Sequence, residues 1–211
     1  MKSPTPLSRL RHPHLGFTLI ELLTVISVIA ILSGILIPVV STALVSVRKS
    51  KTLSQLNNLA TVCKQYKNEY KIWPTLESPA PTDPDHEMKL KDLGARFINV
   101  MSAYDVGGDK ALSEDDRQYN RRAIPFANFS DYDMNPQATA VVDAFLNDDI
   151  RIIVDNDGNN QIAKVSVTMS SVEGRPIHVQ QDKPIHSDII VMSPGHGINN
   201  SDAVTTWELR E

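Results

Sequence analysis

Apolar side chains dominate the chain from Phe17 to Val47, and Glu21 is the one charged residue in that stretch. From Leu22 to Val47 there are 26 consecutive residues without a formal charge, enough to cross a hydrocarbon core about 30 Å thick as a helix. Beyond Arg48 the pattern becomes amphipathic. Leu53, Leu56, Leu59, Val62 or Cys63, Tyr66 and Tyr70 recur at three- and four-residue spacings, which predicts one helical stripe in search of a partner. The two patterns together predict a single helix from Phe17 to Tyr70 or Lys71, roughly 80 Å long at 1.5 Å per residue. Pro38 falls inside it. Its missing amide and its ring, which crowds the carbonyl of Gly34, predict a kink or loosened turn over Gly34–Pro38. Trp73-Pro74 ends the helix, because the residue before a proline disfavours helical angles.

After a proline-rich loop (Pro74, Pro79, Pro81, Pro84), Met88, Leu90, Leu93, Phe97 and Met101 predict a second helix over residues 87–101. Residues 102–138 have weak periodicity and read as a long loop with one helical turn after Ser113. From Val141 the texture turns β-rich. Ile150-Arg151-Ile152-Ile153-Val154 and Ile162–Val167 flank Asp155-Asn156-Asp157-Gly158-Asn159-Asn160, which predicts a hairpin closed by that polar turn. Asp188–Ser193 predicts a further strand. The expected fold class is α+β, with a small antiparallel sheet packed on the emerging helix.

Composition narrows the function classes. The 211 residues carry 21 basic and 25 acidic side chains, a formal net charge of −4. Loss of a leader containing Lys2, Arg9 and Arg11 would make the remainder more acidic, which argues against nucleic-acid binding. The single cysteine, Cys63, excludes an intrachain disulfide and reads as a small buried apolar side chain. The basic leader resembles a secretory signal flank, yet the apolar run exceeds a removable signal core of about 7–15 residues. The basic flank predicts a cytoplasmic N-terminus with the bulk of the chain on the other side. Arg48, Lys49 and Lys51 read as interfacial anchors.

A carboxylate inside a membrane span costs roughly 2.5–3.5 kcal/mol at mid-bilayer and less near an end, so it calls for a named partner. The candidate is the amine made by cutting the chain after Gly16. Leader, Gly16, Phe17, Thr18, Leu19, Ile20, Glu21 and an unbroken apolar run resemble the precursors of type IV pilins and type II secretion pseudopilins. The resemblance implies a pilin-like fold, cleavage between Gly16 and Phe17 by a prepilin peptidase, and methylation of the Phe17 amine. It further implies that Glu21 neutralises the Phe17 amine of a neighbouring subunit in a helical homo-oligomeric filament. It makes the turn at Gly34 and Pro38 a segment that loosens as subunits pack.

Further segments resemble the major pseudopilins of type II secretion. They are the Trp73-Pro74-Thr75 corner, the turn Asp143-Ala144-Phe145-Leu146-Asn147 (where that group has Asp-Pro-Trp-Gly-Asn), and the final strand, glycine loop and Trp207. The missing loop disulfide points the same way. This resemblance implies a calcium ion in the C-terminal loop, with Asp202 the best match and Asn199, Asn200 and Ser201 as further oxygen donors. Calcium wants six to eight oxygens, and this loop offers one carboxylate. The spacing at Asp155–Asn159 does not fit an EF-hand.

No catalytic grouping stands out. The six histidines are dispersed, no Gly-x-Ser-x-Gly or phosphate-binding glycine loop occurs, and Asp148-Asp149 reads as a solvated turn pair. The expected organisation is a cleaved leader (1–16), a transmembrane and filament-core helix (17–47), its amphipathic continuation (48–71), a loop and short-helix region (72–140) and a sheet region (141–211). The expected role is a structural pseudopilin in the bacterial inner membrane, its globular part periplasmic, assembling with other pseudopilins and an inner-membrane platform to drive export. The alternatives are a type IV pilin or minor pilin, or a membrane-anchored binding module or enzyme that never polymerises.

Overall fold

The computed structural model describes residues 17–106 and 110–207. The leader and Gly16 lie outside the described residues. A single helix, α1 (Leu19–Tyr70), runs unbroken through Gly34 and Pro38. The chain divides into two compact units, the first ending at Leu44 and the second beginning at Val45. In the first unit the helix is apolar and exposed on every side, the surface expected of a segment whose solvent is lipid or other helices.

The second unit begins with the amphipathic part of α1. Leu56, Leu59, Val62, Cys63 and Tyr66 are buried and Tyr70 packs against the same core. Leu53 departs from the expected stripe and is partly exposed, while its neighbour Thr52 is fully buried. The reason is a hydrogen bond, since the Thr52 hydroxyl accepts the Ala144 N–H at 3.2 Å. The helix stops at Lys71, whose φ of 64° is left-handed, two residues before Trp73-Pro74.

Two expectations fail here. Residues 87–101 are not one helix: β1 (Asp85–Lys89) precedes two short helices, α2 (Leu90–Leu93) and α3 (Ala95–Ser102). Gly94, at φ +59°, separates the two helices. Strand β1 wins its five residues because it pairs antiparallel along all of β4 (Arg151–Asp155), placing Glu87 opposite Ile153 and Met88 opposite Ile152. The region after α3 holds a two-residue ladder, β2 (Tyr104–Asp105) with β3 (Lys110–Ala111), then α4 (Glu114–Arg117), which Ser113 caps by accepting the Asp116 N–H.

The second failure is the hairpin. Strand β4 does not pair with the β-rich run after the polar turn. That run forms β5 (Val165–Ser170), which pairs with β6 (Pro176–Gln181). Strand β4 instead lies between β1 and β7 (Ile189–Ser193), and β8 (Val204–Thr205) closes the far edge in the order β1-β4-β7-β8. Burial explains the choice, because β4 and β7 are buried at every position. One face of this sheet, with Met88, Ile152, Val154, Ile189 and Val191, packs on α1 and α3. The other face, with Ile153, Ile190 and Met192, is covered by Val165, Val167, Met169, Ile177 and Val179 of the β5–β6 hairpin. The second unit is therefore α+β in three layers: helices, a four-stranded antiparallel sheet and a two-stranded hairpin. A long N-terminal helix joined to such a sheet is consistent with a pilin-like fold.

Candidate functional site

The chemistry at the start of α1 is local and reciprocal. Glu21 Oε2 accepts the Thr18 N–H at 2.8 Å and the Thr18 hydroxyl at 2.7 Å, while Thr18 Oγ1 accepts the Glu21 N–H at 3.3 Å. This is a capping box, in which a threonine and a glutamate three residues later satisfy each other's backbone donors at a helix start. Its signature, Thr18-Leu19-Ile20-Glu21, stands in the sequence directly after Phe17. It holds the Glu21 carboxylate on the backbone N–H that immediately follows Phe17. Phe17 itself is exposed. Gly34 and Pro38 both lie within continuous helix, and a β-carbon at Gly34 would meet nothing within 4 Å.

The Asp143–Asn147 turn of the second unit lies against Thr52 of α1. Asp143 is buried and accepts from the N–H groups of Phe145 (2.8 Å) and Asn147 (2.9 Å), the Asn147 amide (2.9 Å) and the Ser193 hydroxyl. Burial pushes its carboxyl above the usual range, against those donations from Ser193, Asn147 and Phe145. Asn147 carries the connection onward, donating to Gly195 O at 2.7 Å and accepting the Val172 N–H at 2.7 Å. The turn thereby binds three loops together.

In the C-terminal loop, Asn199 and Asp202 cap a 3₁₀ turn (Asn200–Asp202). Asp202 Oδ2 accepts the N–H groups of Ile198 (3.1 Å) and Asn199 (3.0 Å), and Oδ1 takes the Lys49 ammonium at 3.2 Å. Asn200 Oδ1 accepts the His178 N–H at 2.9 Å. Burial opposes ionisation of Asp202, but the Asn199 amide, Lys49 and the Ile198 amide outweigh it and hold the carboxyl below its usual range. Among the described residues no three His, Cys, Asp or Glu side chains group to hold a metal. With both Asp202 oxygens and the Asn200 oxygen committed, and an ammonium already beside the carboxylate, this donor set does not fit a calcium ion. Lys49, expected as an interfacial anchor, instead ties the loop to α1.

A third cluster was invisible in the sequence. Asp149, expected as a solvated turn residue, is 1% exposed. It pairs with the buried Arg151 guanidinium, with Lys91 at 2.9 Å and with the Ser170 N–H at 2.8 Å. Arg151 also reaches Glu87 at 2.7 Å and Thr168 O at 3.3 Å. Burial would raise the Asp149 carboxyl, but Arg151, the Ser170 amide and Lys91 hold it below the usual range. The cluster couples β1, β4 and β5. Trp73 does the same for the helix end, donating from Nε1 to Asp155 O at 2.6 Å beneath the Lys67 ammonium.

The family model described as the prokaryotic N-terminal methylation motif matches residues 11–37. No curated protein and no solved structure matches the chain. The match covers Gly16, Phe17, Glu21 and most of the apolar run. It supports a type IV pilin-like protein processed by a prepilin peptidase, and with the apolar half of α1 it is consistent with a single-pass membrane anchor. It suggests a structural protein and not an enzyme, and it implies filament assembly.

Proposed function

We propose that the chain is a pseudopilin, most like the major subunit of a type II secretion pseudopilus. After cleavage at Gly16–Phe17 and methylation of Phe17, the mature chain rests in the inner membrane with its globular unit on the periplasmic side. Copies are then drawn into a helical filament that drives protein export through other pseudopilins and the inner-membrane platform. The observation that carries this reading is the largely apolar, exposed helix surface from Leu19 to Leu44, in which Glu21 is the one charged residue. Mutual burial of that surface is the driving force of assembly. In lipid, Glu21 is held by its own Thr18; within a bundle of helices it takes the Phe17 amine of a neighbour, so that neither charge is buried alone. The Trp73 corner and the Asp143–Asn147 turn, held by the buried Asp143 and Asn147, favour the pseudopilin class.

The test is Glu21→Ala. Cleavage should remain near wild-type, read by mass, while crosslinked or sheared filament falls at least tenfold. Filament at the wild-type level would refute the pairing. Deletion of the gene separates the classes: loss of exoprotein secretion with surface fibres intact supports export, and loss of twitching or transformation overturns it.

A further inference from the structure

Three loops of the second unit converge on one patch. Asn147 binds the Val172 N–H and Gly195 O, and a β-carbon on Gly197 would lie 2.4 Å from Ser171 Cβ. Leu146, Val172 and Ile198 each neighbour one of these contacts in the chain, and they are 67%, 67% and 47% exposed. Large apolar side chains this open are few beyond Val47. Leu146 is the most telling. It sits at φ +68°, a left-handed conformation that strains any residue with a β-carbon and that glycine adopts freely. A leucine held there and turned to solvent is poorly explained by folding, and such outliers point to function.

Within the second unit the patch lies against the first turns of α1 that belong to that unit. Thr52 accepts the Ala144 N–H, and Lys49 binds Asp202 of the Ile198 loop; Lys49 is two residues beyond Val47. The loop residue Tyr132, 81% exposed, neighbours the same stretch of α1, with the Lys51 ammonium 5.9 Å from its ring and Gln55 donating to the adjacent Asp133. Arg48 and Lys51 are exposed. Glu173 is paired with Arg175 and Asp202 with Lys49, while Asp148 on the Asn147 turn and Asp131 beside Tyr132 are exposed acids.

We propose that this patch is a membrane-resting surface. Before assembly, Leu146, Val172 and Ile198 settle into the bilayer interface, Tyr132 sits at headgroup level, and Arg48 and Lys51 face anionic headgroups. Amphipathic aromatic rings and basic side chains are the groups favoured at that depth, and apolar loop tips gain by leaving water there. A lipid surface is favoured over a second copy because the chain's own span brings the bilayer to within a few residues of Lys49. The inference rests on the membrane-anchor reading above.

The test uses the full-length protein in phosphatidylethanolamine–phosphatidylglycerol vesicles. Leu146→Cys, Val172→Cys and Ile198→Cys each receive an environment-sensitive fluorophore, with quencher lipids placed at the interface, and a second set of vesicles carries mid-bilayer quenchers for the control in the span. The buried Cys63 should stay unlabelled, which the wild-type protein checks. Ile72→Cys, exposed just past the C-terminal end of α1, is the control in water, and Leu36→Cys is the control in the span. The three loop labels should lose at least half their signal and the Ile72 label under a tenth, unchanged on tenfold dilution of protein in lipid. Leu146→Gly should reduce quenching at a Val172 label without lowering the unfolding midpoint. Loop labels no more quenched than Ile72 overturn the proposal, as does quenching lost on dilution, which would assign the patch to a second copy. A quenched Leu36 label with unquenched loops leaves the anchor reading standing; an unquenched Leu36 label removes both.

Discussion

Arg151→Met is the sharpest probe of what holds the globular unit together. The substitution keeps the volume and apolar stem of a buried side chain on the central strand β4 and removes its charge. Three interactions go: the pair with Asp149, the pair with Glu87 and the donation to Thr168 O. Breaking a buried ion pair by removing one partner costs about 3–5 kcal/mol, because the other charge stays buried. Asp149 keeps Lys91 and the Ser170 N–H, which places the loss near the lower end. Glu87 is partly exposed and is rehydrated at a cost below about 1 kcal/mol, and the carbonyl of Thr168 adds about 1 kcal/mol. The expected loss is about 4–5 kcal/mol, or about 10–15 °C in unfolding midpoint for a unit of this size.

Denaturant titration of the detergent-solubilised protein, followed by the fluorescence of the buried Trp73, reads that loss. Arg151→Met combined with Asp149→Leu should recover at least ~1.5 kcal/mol of it, since the unpaired charge is then gone. The pH dependence has a defined sign. A carboxyl held low in the fold contributes its stability in full above the ordinary aspartate range, near about 4, and loses it as pH falls through the folded value. Wild type therefore loses this contribution on acidification. The variant has less to lose, because Asp149 without Arg151 is more easily protonated, and the gap between the proteins narrows toward acid. A loss under about 1 kcal/mol, or a gap independent of pH, would refute the buried-pair account.

Two further predictions concern the core and the C-terminal loop. Burial pushes the Cys63 thiol up to about 12, so iodoacetamide at pH 8 should modify it only through unfolding, and Cys63→Ser should cost about 1–3 kcal/mol by leaving a hydroxyl without a ready partner; rapid labelling of folded protein would contradict this. Gly195→Ala places a β-carbon 2.0 Å from Asp202 O at φ +63°, so the loop must move, with a loss of about 2 kcal/mol or more read as a lower midpoint and faster proteolysis after Met192; an unchanged midpoint would contradict it.

The sequence revealed most where one signal acted alone. The apolar run, the stripe from Leu56 to Tyr66 and the stop at Trp73-Pro74 all depend on local periodicity and backbone chemistry, and α1 follows them to within two residues at each end. Pairing was less legible. Asp155–Asn160 is a genuine turn, in which the Asp155 carboxylate takes the N–H groups of Gly158 and Asn160. A turn does not choose partners, however, and β4 pairs with the distant β1 and β7 because both its faces must be covered. The all-buried Ile152-Ile153-Val154 and Ile189–Met192 runs carried that information as continuous, not alternating, apolar strands. Residues 87–89 read as helix because Met88 and Leu90 also fit a helical stripe; only the strand β4 across from them decides. Asp149 and Arg151 stand two residues apart, but what buries and completes the pair is distant in sequence, Lys91 58 residues from Asp149 and Glu87 64 from Arg151, and the Lys49–Asp202 pair spans 153 residues, so neither was legible locally. The Thr18–Glu21 box was readable and overlooked, hidden by the rarer meaning of a carboxylate in an apolar segment.

Intact mass and N-terminal sequencing of the protein from its own cells test the central claim most directly. The account predicts a chain that begins at N-methyl-phenylalanine, residue 17. Protein that keeps its first sixteen residues in a host with an active prepilin peptidase would contradict it, because Glu21 would then have no new amine to meet.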